Sequence, residues 1–314
     1  MTGNGEAMTP AEHRSRIVRS GAILTVFKHA AIAWYNDNVP RMGASLSYYT
    51  LFSLAPILVI SIAVAGLAFG EQAVRGQVVG QIQGLVGRAG AEAVQAMLEG
   101  ARKHSSSVLA TVVGAATFFL GATGVFLELQ TALNAIWRVE AKASAGIRGV
   151  LLPRLISFGL VMGVGFLLLV SLLVSAALAA VTQIMGDTHP TLTTAWGAVN
   201  ALLTLAVMTL LFGMIYKVLP DIELEWRHVW VGALVTAGLF SIGKFAIGLY
   251  LGTSSIASSY GAAGSVVVLL VWVYYTSQIV LLGAEFTRAW VEHFGKRPPP
   301  MEHAKKTGKS EKGR

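Results

Sequence analysis

Ala262-Ala-Gly-Ser-Val-Val-Val-Leu-Leu-Val-Trp-Val-Tyr-Tyr-Thr-Ser-Gln-Ile-Val-Leu-Leu-Gly-Ala284 is a run of 23 residues without one charged side chain. As an α-helix rising 1.5 Å per residue it reaches about 34 Å, enough to cross a hydrocarbon core of about 30 Å. Polar and apolar residues do not alternate along it, so it does not read as a barrel strand. Five more runs read the same way: Met42–Gly70, Val108–Leu127, Leu155–Val181, Ala195–Tyr216 and Val229–Leu251. Lys244 is the one charge in the six. The expected fold is therefore all-α, a polytopic membrane protein of six transmembrane helices with amphipathic interfacial and external helices. The first run starts too late and is too long for a cleavable signal peptide.

Composition agrees. Charged residues make up 13% of the chain, about half the share of a soluble domain, too few to cover a water-facing surface. The absence of cysteine excludes disulfides, thiolate metal ligands and a cysteine nucleophile. The net charge of +8 sits mostly at the ends and in short connections, where Lys and Arg report orientation rather than a nucleic-acid site. Nineteen Lys and Arg flank one side of the six runs, and four (Arg75, Arg88, Arg102 and Lys103) flank the other. The positive-inside rule then places both ends in the cytoplasm, as an even number of spans requires, with anionic lipids as partners of that face.

Three regions follow. Residues 1–41 form a cytoplasmic N-terminus in which Leu24, Phe27, Ala31 and Trp34 recur at helical spacing, an interfacial helix. Residues 42–290 hold the six spans, with amphipathic helices over Glu71–His104 capping the outer face and the second helix continuing through Glu128–Glu140. Residues 291–314 form a basic tail, Pro-rich then Lys-rich, expected to be disordered.

Few residues offer chemistry. Gly238-Leu-Phe-Ser-Ile-Gly243-Lys244 has phosphate-loop spacing, but Phe245 stands where a hydroxyl must hold magnesium, and the segment lies inside a span. The seven histidines lie outside the spans with no metal-ligand spacing between them. Asp221, Glu223 and Glu225 read as a solvated turn pairing with Arg227. No enzymatic activity, metal or cofactor is expected. Glu128 closes the second span and Arg154 opens the third, so the two are expected to pair at the cytoplasmic interface.

Lys244 is the most informative residue. A charge at the bilayer centre costs about 2.5–3.5 kcal/mol, so it faces the bundle or snorkels to the interface. Asn200 and Thr204 lie at comparable depth and cannot neutralise it, so an anion would. The first span is polar in its inner half, with Ser45, Tyr48, Tyr49 and Ser53 before Pro56, and these side chains suit a helix interface or a cavity.

Ala44-Ser-Leu-Ser-Tyr-Tyr-Thr-Leu-Phe-Ser-Leu-Ala-Pro56 resembles the opening signature of the YihY/BrkB family of bacterial inner-membrane proteins. Leu133-Asn134-Ala-Ile-Trp137-Arg138, Tyr216-Lys-Val-Leu-Pro220, Trp230-Val-Gly-Ala233, Ser259-Tyr260-Gly261-Ala-Ala-Gly-Ser265 and Gly283-Ala-Glu285 continue the resemblance in the same order. It implies a six-helix inner-membrane protein. Members have been labelled ribonuclease BN, virulence or serum-resistance factors, and exporters of envelope lipids, and no catalytic residues carry over. The residues argue against a nuclease, since no carboxylate pair or His cluster could hold metal ions.

The leading expectation is a transporter or flippase-like exporter of an anionic solute or envelope lipid precursor. Lys244, Asn200, Thr204, Ser45, Tyr48, Tyr49, Ser53, Tyr260 and Glu285 are its pathway candidates. Pro56, Asn134, Trp137, Pro220, Gly261, Glu128 and Arg154 are assigned structural roles. The alternatives are an envelope-assembly scaffold, which homo-oligomerisation would suit, and, third, a membrane hydrolase.

Overall fold

A computed structural model describes residues 10–103, 124–141, 190–253, 260, 263–295, 298–301 and 303–307. The chain is mostly helical. Helix α1 spans Pro10–Asn36, α2 Val39–Phe69, α3 Glu71–Lys103 and α4 residues 124–137. After strand β1 (Val139–Ala141) come α5 (Pro190–Val218), α6 (Trp226–Thr253) and α7 (Gly264–Phe294), and strand β2 (Ala304–Lys306) closes the described chain. Among the described residues, Gly197–Val218, Trp226–Leu251 and Gly264–Phe294 are long and apolar enough to cross a membrane. Helix α2 carries the first expected span and stays helical through Pro56. The third expected span, most of the second, and Arg154 and Gly261 lie outside the described residues, as does the Glu128–Arg154 pairing.

Helix α6 packs between α5 and α7, and α7 also meets α1, α2 and α3. Close approach of α6 and α7 is set by two glycines. A Cβ on Gly283 would strike the hydroxyls of Thr236 and Tyr216, and one on Gly232 would strike Thr287. The space left by Gly283 is filled by polar groups that satisfy one another: the Tyr216 hydroxyl donates to the Val280 carbonyl at 2.6 Å and lies 3.0 Å from Thr236 Oγ1. In a bilayer such closeness is a main source of helix adhesion, since lipid tails compete with any apolar contact.

Helix α3 folds back on itself at Gly87, whose φ of 78° suits a residue without a Cβ. Its two arms are tied by Arg75 to Glu99 at 3.4 Å, and Val74, Val94 and Leu98 pack on Ile62 of α2 and Val268 and Val273 of α7. The helicity and the one-sided packing agree with the spacing of Val74, Val78 and Ile82.

At the opposite pole the ends of α1, α4, α5 and α7 meet the start of α6. Pro220 ends α5 by denying the helix its next donor, and the following turn is not solvated as expected. Asp221 is buried. Its carboxylate accepts from Asn134 Nδ2 at 2.8 Å and Gln130 Nε2 at 3.1 Å, and its backbone N–H donates to Asn134 Oδ1 at 2.8 Å. His303 Nε2 lies 3.0 Å from the same carboxylate. Glu225 does pair with Arg227, on the surface, at 2.6 Å.

The tail also departs from expectation. Strand β2 pairs antiparallel with β1, Glu140 opposite Lys305, and Met301 and Pro299 bond the backbone of Asp221 and Glu223. Hydropathy and lysine content suggested disorder, but the pairing partner lies in α4's trailing strand, remote in sequence. The small sheet is the one addition to an otherwise helical fold among the described residues.

Candidate functional site

Asp37 lies in the two-residue link between α1 and α2, beside Asn38, whose φ of 57° is left-handed. Arg138, at the end of α4, has a φ of 56°. Left-handed backbone costs a residue with a side chain about 1–2 kcal/mol and persists where the surroundings enforce it, often at functional sites. Both positions flank one cluster. Arg288 of α7, its side chain 10% exposed, donates from Nη1 to Asp37 Oδ2 at 2.8 Å and to the Ile136 carbonyl at 2.6 Å. The same nitrogen lies 3.4 Å from Glu285 Oε2, and Nε lies 3.5 Å from Glu292 Oε1. Arg138 approaches Asp37 more loosely, at 3.9 Å, and is half exposed.

These groups wall a cavity of about 390 Å³, completed by His29, Asn36 and His293. Helical spacing on α7 places Glu285, Arg288 and Glu292 on one face, three and four residues apart. Glu285 is 1% exposed, and its Oε1 is buried without a hydrogen-bond partner. The cavity thus joins a buried ion cluster to a carboxylate oxygen with no partner. Among the described residues no group of three His, Asp or Glu is placed to hold a metal ion.

Of the pathway candidates read from sequence, Glu285 lines this cavity and the others do not. Ser53 is buried in α2 and Ser45 half-buried, whereas Tyr48 and Tyr49 are exposed, edge to face, with Tyr49 against Gly124. Tyr260 and Asn200 are exposed, and the Thr204 hydroxyl donates back to the Asn200 carbonyl at 2.8 Å. Lys244 is half-buried, one turn after Phe240 and three residues before Ile247, both buried. It therefore lies on the packed side of α6, and it makes no ion pair or hydrogen bond with any described residue. Of the residues assigned structural roles, Trp137 and Pro220 are buried, Asn134 pairs with Asp221, and Glu128 is half-buried.

The family described as Virulence factor BrkB matches residues 32–307, a stretch that contains the whole ion cluster. A UPF0761 membrane protein of Verminephrobacter eiseniae is 30% identical over 261 residues, which cover 80% of this chain and 58% of that one. One of Rhodospirillum centenum is 28% identical over 83% of this chain and 56% of its own length. One of Vibrio vulnificus is 27% identical over 89% of this chain and 87% of its own. The chain thus spans little more than half the length of the first two relatives. No solved structure matches it.

Proposed function

The chain belongs to the BrkB family of membrane proteins, and from that premise we propose that it is a six-span inner-membrane exporter, both ends cytoplasmic, for an anionic solute or envelope lipid precursor. The observation that carries this reading is the cavity walled by Arg288, Arg138, Asp37, Glu285 and Glu292 at the pole where basic segments gather. Ionisable groups buried in a membrane protein are expensive, and packing alone is as well served by apolar side chains. Arg138, loosely held and half exposed, is the cation an incoming phosphate or carboxylate would meet first. Lys244, deeper and unpaired on the packed side of α6, would meet it next. In this reading the chain has no enzymatic role, binds no nucleic acid, and rests its basic face on anionic lipids.

Orientation has a direct test. Reporter fusions after residues 150, 222 and 300 should read cytoplasmic, and those near 90, 188 and 257 external. A cytoplasmic signal at residue 90 overturns the span count and the orientation together.

Export is tested by comparing envelope lipids and secreted metabolites of cells with and without the protein, and then with Lys244→Met. The alkyl stem of Met packs much like that of Lys, so the variant should fold normally and lose the export phenotype. Lys244→Arg should keep part of it, because charge survives while geometry changes. A fully active Lys244→Met would remove Lys244 from the pathway, and envelope lipids and secreted metabolites unchanged in cells lacking the protein would overturn the exporter reading. The second reading, an envelope-assembly scaffold, has its own support in the ion cluster and the Asp221 hydrogen bonds, which fasten four segments of the chain together.

A further inference from the structure

Glu285 is the least solvated member of its cluster and the least well compensated. Its nearest cation, Arg288, gives its short hydrogen bonds to Asp37 at 2.8 Å and the Ile136 carbonyl at 2.6 Å, leaving 3.4 Å to Glu285. The other groups around it are His29 from α1, Asp37 from the α1–α2 link, Arg138 at the end of α4, and Glu292 and His293 from α7. Helix α6 contributes His228, packed on Gly295 nearly three turns farther along. Helix α2 meets α7 at Gly43, which packs on Gln278 and Ser277. Asp37 and Glu285 thus share Arg288, with the shorter contact going to Asp37. Glu285 Oε1 is buried with no donor to stabilise it.

A buried carboxylate in that position is strongly disfavoured as an anion unless something neutralises it. A proton is the smallest neutralising group, and it turns Oε1 from an orphan acceptor into a hydroxyl on a residue that lines the cavity. We propose that Glu285 is a proton-binding site that takes its proton from water in the cavity and returns it there. One O–H bond forms on Oε1 and one breaks on hydronium, and release reverses the two. The inference deepens the exporter reading, since a reversible proton on a cavity-lining residue would tie solute movement to the proton gradient. It can be tested without any transported solute, so its failure leaves that reading standing.

The measurement is infrared spectroscopy of the purified full-length protein in detergent near neutral pH, with no solute added. The difference between wild type and Glu285→Gln should contain the carbonyl band of a protonated carboxylic acid, and exchange into D2O should shift it. Gln is close in shape to the protonated acid, so the variant should fold. Should it not, Glu285→Asp serves instead, because withdrawing the acid by one methylene moves the band without removing it. A wild-type spectrum with no such band, a band that survives unchanged in both variants, or a band that ignores D2O overturns the proposal. So does stabilisation of the protein by sodium or potassium in the absence of the band, which would make the ligand an alkali cation.

Discussion

Arg288→Met is expected to destabilise the protein by about 3–5 kcal/mol, the usual cost of removing one partner of a buried ion cluster. Among the described residues Arg288 is the only cation within 3.5 Å of Asp37 and Glu285, and its Nε lies 3.5 Å from Glu292. Its loss leaves Asp37 and Glu285 without that cation and frees the Ile136 carbonyl from its Arg288 donor. Met fills much of the same volume, so the effect isolates charge and hydrogen bonding from packing. Thermal unfolding in detergent reads the change. Asp37→Asn added to Arg288→Met should recover part of the loss, because it removes one repelling charge. A single variant as stable as wild type would mean that the cluster contributes nothing to the fold.

The second large effect is expected at Asp221. Asp221→Ala deprives Asn134 and Gln130 of their acceptor and His303 of its partner. Hydrogen bonds to a charged group contribute about 1.5–3 kcal/mol each, and the stranded amides add a desolvation cost. A total near 3 kcal/mol is the minimum expected. The tail is the sensitive reporter, because the Asp221 turn and β1 hold residues 299–301 and 304–307. Limited trypsin digestion should cleave at Lys305 and Lys306 faster in Asp221→Ala than in wild type, and Asn134→Ala should act in the same direction. Equal cleavage rates in all three proteins would show that the Asp221 contacts do not hold the tail.

The helices were legible because hydropathy in a bilayer is a local property: each apolar run declares itself without reference to any other. The amphipathic helicity of α3 was legible for the same reason, through the spacing of Val74, Val78 and Ile82, whereas its reversal at Gly87 was not. The ion cluster was not. Arg288 stands 251 residues from Asp37, and no local pattern links a carboxylate in a two-residue turn to a guanidinium on the last helix. The available signal was on α7 itself, where Glu285, Arg288 and Glu292 continue the face of an apolar run at spacings of three and four. The positive-inside count takes Arg288 as one orientation charge among nineteen, and the pathway list takes Glu285 without it. Asp221 was misread because Glu223 and Glu225 beside it are indeed exposed, and its partner Asn134 is 87 residues away.

The distance from Asp37 to Arg288 is also an interval of time. At a synthesis rate of about 5–20 residues per second, the 251 residues between them take roughly 10–50 s to make. Throughout that interval Asp37 has been synthesised and its partner Arg288 has not, and the Ile136 carbonyl waits for the same guanidinium over the last 152 residues of it. A carboxylate waiting at the watery edge of the bundle stays hydrated at no cost, whereas one waiting in hydrocarbon would have to be neutralised. Helix α7 therefore acts as a keystone, and the polar pole closes only once that helix is in place.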